Sequence, residues 1–217
     1  MKIALIGGTG FVGSAVLAEL SQRGHQVTAL ARDTSKYRTL PGVTAVPADA
    51  TDAAQVAQAV TGVDAVISAY NPGWKSPELY ERFMAGTRGV IDGTRKAGVK
   101  RLLVVGGAGS LFVAPGVQLI DTPEFKAKVP PQMMPGIEGA RDALKLLRDE
   151  RDLEWTFVSP PAKLAAGDRT GQFRTGGNDL LMKDGEPAGI SVADLAVAIV
   201  DEIEGPAHIR QRFTVAY

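Results

Sequence analysis

Three glycines at intervals of three residues follow the first apolar run of the chain, and they constrain its fold more than any other feature. Gly7, Gly10 and Gly13 come after the apolar run at 3–6 and before a helical pattern of apolar residues at 16, 17 and 20. In a strand–turn–helix context, such glycines permit the tight turn, a close approach of pyrophosphate and close packing of helix on strand. Backbone N–H groups at the start of the helix then face the phosphates. The spacing predicts a dinucleotide-binding turn with contacts from Gly7, Thr9, Gly10, Phe11, Val12 and Gly13.

Composition excludes several classes of function. The 217 residues carry 24 Lys and Arg against 24 Asp and Glu, and a net charge of zero argues against binding to nucleic acid or an anionic membrane. The absence of cysteine excludes disulfides and thiol catalysis, and two histidines make a histidine-rich metal site unfavourable. The sequence shows no signal-peptide pattern and no membrane-length apolar run. We therefore expect a cytoplasmic protein with a small-molecule partner, and a homo-oligomer is compatible with the sequence.

The first half of the chain alternates short apolar runs with helical patterns. We predict strands at 2–6, 26–30, 43–46, 65–68 and 101–105, and helices at 12–23, 53–60 and 77–97. Gly24 and Gly98 follow two of these helices, as glycine commonly does just beyond a helix end, and Asp52 can cap the helix at 53–60. Short apolar strands separated by helices are typical of a parallel sheet covered on both faces.

The second half begins with a segment at 106–136 that contains five prolines and little periodicity. A segment this long inside a compact domain is typically functional or mobile. A helix at 137–150, a strand at 155–158, a helix from 191 to 204 and a strand at 212–215 follow, and residues 160–190 are predicted to form a small substrate-side lobe with a hairpin. We predict an α/β fold: a single Rossmann-like domain over 1–217, with a doubly wound parallel sheet and helices on both faces.

The residue just past the second strand bears on the choice of cofactor. Arg32 stands where such folds place the side chain that meets the adenosine ribose, and a guanidinium there can bind a 2′-phosphate in a bidentate fork. Lys36 and Arg38 add positive charge nearby. These residues favour NADP over NAD, although Asp33 keeps NAD open because its carboxylate could reach the ribose.

Other predicted contacts follow the later strands, because ligands in these sheets bind beyond the carboxyl ends of the strands. Asp49 could accept a hydrogen bond from the adenine amino group or, equally, cap its own loop. The small residues at 106–110 leave room for a nicotinamide ring, and two prolines could stiffen the cleft wall. The predicted contacts at these strand ends are Ser68, Ala69, Tyr70, Gly106, Gly107, Pro160 and Pro161.

Together these segments resemble the atypical short-chain dehydrogenase/reductases. Within them, the chain is similar to the small NAD(P)-binding proteins named NADH-flavin reductases, which neighbour the NmrA-like and biliverdin-reductase-B-like groups. The resemblance covers nearly the whole chain and is carried by KIALIGGTGFVG at 2–13, AVISA at 65–69, VVGGAGSL at 104–111, LEWTFVSPP at 153–161 and ISVADLA at 190–196. It implies NAD(P) binding and a reductase activity.

The chain departs from typical members in one catalytic feature. The usual Tyr-x-x-x-Lys supplies a proton to the substrate oxygen, but none of the tyrosines at 37, 70, 80 and 217 has a lysine four residues later. Without a positioned acid, ordinary ketone reduction is disfavoured. Flavin reduction needs no such acid, because the hydride goes to N5 and the proton can come later from water. The main requirement is then the orientation of two flat rings.

Flavin would be a substrate here rather than a bound prosthetic group. Ser110 is the candidate for a catalytic hydrogen bond, with backbone capping as its alternative role, and neither His25 nor His208 is assigned to catalysis. An apolar acceptor pocket could come from Tyr70, Trp74, Phe112, Met133 and Met134. The sequence thus predicts an NAD(P)H-dependent reductase of a flavin or a quinone-like acceptor. The alternative is a non-catalytic NAD(P)-sensing regulator of the NmrA type.

Overall fold

The computed structural model describes residues 1–37 and 39–217. The charge expected at Arg38 therefore lies outside the described residues. Fourteen strands occur within those ranges: β1 Lys2–Ile6, β2 Gln26–Ala31, β3 Val43–Pro47, β4 Ala65–Ser68, β5 Arg101–Val105, β6 Phe112–Ala114, β7 Val117–Gln118, β8 Glu154–Ser159, β9 Lys163–Ala165, β10 Arg174–Gly176, β11 Met182–Lys183, β12 Glu186–Pro187, β13 Gly189–Ser191 and β14 Gln211–Ala216.

Eight strands form the central sheet in the order β3-β2-β1-β4-β5-β8-β14-β10. All of its neighbours pair in parallel except β10, which runs antiparallel to β14 at the edge. The strand order reverses between β1 and β4, where Ile6 is in register with Ser68. A crevice beyond the carboxyl ends of strands at such a reversal is the ligand site of open α/β sheets.

Six α-helices accompany the sheet in the described ranges: α1 Phe11–Gln22, α2 Ala53–Ala59, α3 Leu79–Lys96, α4 Pro123–Lys128, α5 Met134–Asp149 and α6 Val192–Glu204. Apolar residues of α1 and α6 pack on one face of the sheet, and those of α2, α3 and α5 pack on the other. As predicted, Asp52 caps α2: its carboxylate accepts from the backbone N–H groups of Ala54 and Gln55. The Rossmann-like fold expected from the sequence is confirmed.

The segment at 106–136 contains more structure than its sequence indicated. It holds the hairpin of β6 and β7, the short helix α4 and the first residues of α5. Thr122 caps α4 by accepting from the N–H of Phe125, and Pro123 occupies the first helical turn, where its missing N–H has no cost. Within 160–190, β11 and β12 form the expected hairpin. No described helix is both long and apolar enough to cross a membrane.

Candidate functional site

A cleft of about 620 Å³ lies beyond the carboxyl ends of β1, β4, β5 and β8. It is lined by the start of α1, the segments that follow β4, β5 and β8, helix α4 and its C-terminal neighbour, and the first half of α5. Trp74 from the predicted acceptor pocket lines it, as do nine of the predicted cofactor contacts: Gly10, Phe11, Val12, Ala69, Tyr70, Gly106, Gly107, Pro160 and Pro161. The fold therefore brings segments from both halves of the chain to one site.

The glycine turn at the end of β1 has the geometry of a phosphate cradle. Gly7 has φ +83°, and a Cβ on Gly7 would overlap the carbonyl oxygen of Ala69, while one on Gly13 would overlap that of Gly7. Gly10 differs, because a Cβ there would meet only the Gly7 oxygen, at 3.4 Å. No described side chain caps the start of α1, which leaves the first N–H groups of the helix available at the end that adjoins the cleft. Thr9 is exposed beside this turn.

Tyr37 supports the glycine turn from the side of β2, a role that no sequence pattern indicates. Its hydroxyl donates to the carbonyl oxygen of Leu30 across 2.9 Å, and a Cβ on Gly8 would stand 2.9 Å from the same hydroxyl. Burial raises the pKa of Tyr37, and the nearby Gly8 amide opposes that shift. The neutral phenol thus joins the phosphate turn to the loop after β2.

In that loop, Asp33 has partners among its neighbours, whereas Arg32 has no ion pair with a described residue. Both are exposed, but the Asp33 carboxylate accepts from the N–H and hydroxyl of Ser35 and lies 3.7 Å from Nζ of Lys36. These contacts, led by the Ser35 hydroxyl, lower the pKa of Asp33. Arg32 forms no ion pair with any described residue, whereas Asp33 is engaged by Ser35 and Lys36.

Tyr70 lines the cleft, whereas Asp49 lies outside the cleft lining, in the loop after β3. One Asp49 oxygen accepts from the N–H and hydroxyl of Thr51, each at 2.9 Å, so the loop-capping role predicted for it is present and adenine contact stays a prediction. The Tyr70 hydroxyl donates to the carbonyl oxygen of Arg82 at 3.2 Å. Burial raises the pKa of Tyr70, and the charge of Asp49 adds to the shift, whereas the charges of Arg32 and Arg82 oppose it. Ser68 is buried at the end of β4 and does not line the cleft.

The far end of the cleft is apolar. Gly106 to Gly109 form its floor, and the prolines after β8 form a wall, continued by Ala162 and Leu164. Phe11 and Trp74 are 54% and 45% exposed, which leaves two large aromatic surfaces accessible at the cleft. The expectation for Phe112, Met133 and Met134 was wrong: none of them lines the cleft, and Phe125, Val129 and Ile137 do so instead. The reason is that α4 places its own apolar side over the opening, whereas Phe112 packs under Arg212.

Ser110 lies behind the floor of this cleft. Its side chain is 1% exposed, and its hydroxyl accepts from Nη1 of Arg212 at 3.1 Å. Ser110 is absent from the cleft lining. A catalytic role for this hydroxyl therefore stays a prediction, and its partner in the structure is the Arg212 side chain rather than the backbone of its own turn.

The lining of the cleft contains no Asp, Glu, Lys, Arg or His among the described residues, and Tyr70 is its single titratable side chain there. His25 instead pairs with Glu204 at 2.8 Å, and His208 pairs with Glu202 at 2.8 Å; both lie outside the cleft. The described residues also hold no group of three or more potential metal ligands. The cleft can orient and desolvate flat molecules, but it offers few groups for acid–base catalysis.

These features define a class of protein. A Rossmann-like sheet with a glycine turn at its reversal point, an open space above Gly10 and uncapped N–H groups at the start of α1 fit a dinucleotide cofactor. Comparison with family models places residues 7–203 in the family described as NAD(P)H-binding. The chain belongs to this NAD(P)H-binding family.

Solved structures agree on the fold and differ in the activities they are named for. A "putative exported protein" from Burkholderia pseudomallei is 46% identical, with a TM-score of 0.87 and full coverage of both chains. A "putative epimerase" from Bacteroides thetaiotaomicron is 41% identical, with a TM-score of 0.91 over 100% of this chain and 96% of the other. A "putative NADH-flavin reductase" from Streptococcus pneumoniae is 32% identical, with a TM-score of 0.84 over 100% and 99% of the two chains.

Proposed function

We propose that this protein is an NAD(P)H-dependent reductase that passes a hydride to a flavin or a similar conjugated acceptor such as a quinone. The observation that carries the proposal is the lining of the cleft: two accessible aromatic side chains, a glycine floor and no charged side chain among the described residues. Such a site suits a reaction between two flat rings held in contact, which depends on orientation and on the exclusion of water.

Different residues along the cleft would bind different parts of the cofactor and the acceptor. The N–H groups at the start of α1, with the space above Gly10, would hold the pyrophosphate, and Arg32 would bind a 2′-phosphate, which favours NADP over NAD. The floor at 106–109 leaves room for the nicotinamide ring. Phe11 and Trp74 would stack on the acceptor, and Pro160 and Pro161 would close the wall opposite.

The reaction needs no acid from the protein. When bound, a reduced nicotinamide would supply one hydride from its C4 to N5 of the flavin, and water would supply one proton, which would yield oxidised cofactor and dihydroflavin. The apolar lining excludes water from the ring contact, and the raised pKa of Tyr70 keeps that phenol neutral at physiological pH. Epimerase chemistry of the tyrosine-dependent kind is not proposed, because the chain lacks Tyr-x-x-x-Lys.

The similarity to the "putative NADH-flavin reductase" of S. pneumoniae supports the proposal, since that chain is matched over its whole length. The proposal also implies that the protein acts where reduced nicotinamide cofactors are maintained, which favours the cytoplasm. The alternative expected from the sequence is a sensor that binds NAD(P) without catalysis. A closed acceptor site would favour a sensor, but the cleft beyond the glycine turn is open.

Anaerobic stopped-flow mixing of the purified protein with NADPH and FMN tests the proposal. Protein-dependent bleaching of the flavin, coupled to loss of NADPH absorbance, is the expected result, and it should be faster than the reaction without protein. Tight NADPH binding without hydride transfer to FMN or to a quinone would overturn the proposal in favour of a sensor.

A further inference from the structure

A second pocket, of about 370 Å³, lies on the α5 side of the sheet, where α5 ends and β8 and β14 begin. Helix α5 packs over β8, whereas the loop that follows β10 covers the same face of β14. A gap remains between the helix end and this loop. We infer that this gap is a binding site for a phosphate-class oxyanion, separate from the cofactor cleft. The residues that line it are Arg148, Glu150, Arg151, Trp155, Gly177, Asn178, Arg210, Gln211 and Arg212.

The charge of the pocket is unusual in a chain with no net charge. Four arginines and one glutamate line it, and the carboxylate of that glutamate, Glu150, is 3.2 Å from Arg95. None of the four arginines forms an ion pair with a described carboxylate. Arg148, Arg151 and Arg210 are exposed to water, so the cost of an unneutralised charge falls on the buried Arg212.

Arg212 is 6% exposed, so its charge is buried without a neutralising partner among the described residues. Burial lowers its pKa to about 10, repulsion from Arg148 adds to the shift, and Asp179 partly opposes it. At neutral pH the guanidinium remains charged, and all of its neighbours within hydrogen-bonding distance are uncharged atoms of Ser110 and Asn178. An anion in the adjoining pocket would supply the missing negative charge.

The pocket also presents free donors. Oδ1 of Asn178 accepts from Nε and Nη2 of Arg212 at 3.0 and 2.7 Å, which directs the Asn178 amide N–H groups away from that guanidinium. The Trp155 side chain lines the pocket and is 4% exposed. The exposed Arg148 completes a set of donors on different elements. Donors without acceptors are the complement of a phosphate or phosphate ester.

The test uses Trp155 as the reporter. The chain has two tryptophans, so Trp74→Phe leaves Trp155 alone. The variant is saturated with NADP⁺, which fills the phosphate cradle of the cleft, and is titrated with inorganic phosphate or ribose 5-phosphate at constant ionic strength. Calorimetric titration of the wild-type protein with NADP⁺ present provides a second readout that does not depend on the variant.

We expect a saturable change in Trp155 emission. Arg148→Gln should raise the dissociation constant of the anion about tenfold, because it removes one charge-assisted hydrogen bond. Arg88→Gln removes an exposed arginine from α3 and should leave the titration unchanged. Tighter binding of the ester would assign the pocket to a phosphorylated small molecule, and equal or tighter binding of phosphate would assign it to the free ion. The absence of saturable binding in both readouts, or equal weakening by the two substitutions, would overturn the inference.

Discussion

Nη1 of Arg212 donates hydrogen bonds to the carbonyl oxygen of Ser110 at 2.7 Å and to its hydroxyl at 3.1 Å. This contact joins the last strand of the sheet to the turn that continues from the cleft floor at 106–109. The shape of that floor therefore depends on β14, a strand more than 100 residues away in the sequence.

Ser110→Ala separates a structural from a catalytic role of the hydroxyl. The substitution removes one of the two bonds from Arg212 and should lower the free energy of unfolding by about 1–2 kcal/mol, with hydride transfer within about threefold of wild type. Urea unfolding and single-turnover rates measure the two effects. Ser159→Ala is the matched control, since the Ser159 hydroxyl is buried and has no partner among the described residues. A hundredfold slower transfer with unchanged stability would instead make Ser110 catalytic.

Gly10→Ala tests the phosphate cradle. A Cβ on Gly10 meets only the Gly7 oxygen at 3.4 Å, so the variant should fold with little loss of stability. The same methyl group would occupy space that the pyrophosphate needs, and we expect the dissociation constant of NADPH to rise at least about tenfold. Gly205→Ala, where a Cβ has ordinary contact at 3.7 Å, is the control. Unchanged NADPH affinity in Gly10→Ala would place the cofactor elsewhere.

Arg32→Gln tests the preference for NADP. Loss of a bidentate charge-assisted contact should weaken NADPH binding about 10- to 100-fold and change NADH binding about twofold or less. Calorimetric titration with both cofactors measures the ratio. Asp33→Asn serves as the companion variant, because Asp33 is held by Ser35 and should matter little for NADH. An equal loss of both cofactors in Arg32→Gln would contradict the assignment.

Asp142 gives the protein a defined acid-sensitive contact between α5 and α3. Burial opposes its ionisation, but the Arg141, Lys145 and Tyr80 hydrogen bonds outweigh burial and lower the pKa of Asp142 to about 2. Because the folded-state pKa lies below the unfolded value of 3.8, the stabilisation is present above pH 3.8 and is lost as the pH falls toward 2.

Asp142→Asn should therefore lower the free energy of unfolding by about 1–2 kcal/mol at pH 7. The difference from wild type should shrink as the pH falls from about 4 to about 2. Urea unfolding across that range measures it, and a difference that does not change with pH would show that the stabilisation does not come from the carboxylate charge.

The first half of the fold was predictable because local signals agree with the tertiary structure. Strands β1, β4 and β5 have the predicted bounds 2–6, 65–68 and 101–105, and each contains an apolar run that is bounded by glycine or a polar residue. The positions of the glycine turn and Arg32 were predictable for the same reason, because they directly follow β1 and β2 in the sequence; their contacts with adenosine stay a prediction.

The acceptor end was less predictable, because its walls come from segments without periodicity. Thr122 and Pro123 do signal the start of α4, but nothing local shows that Phe125 and Val129 turn toward the cleft. The support of the glycine turn by Tyr37 and the burial of Ser110 under Arg212 are tertiary contacts. Hydrophobicity and spacing along the chain do not encode which partner such a side chain meets.

The pH dependence of hydride transfer tests the central claim most directly. In single-turnover experiments with NADPH deuterated at C4 and FMN, the account predicts a primary isotope effect and a rate that is constant from about pH 6 to 9. The reason is that Tyr70 is the single titratable side chain among the described cleft residues, and its pKa is raised. A rate that rises or falls tenfold across that range would contradict the claim and would require an acid or base from the protein.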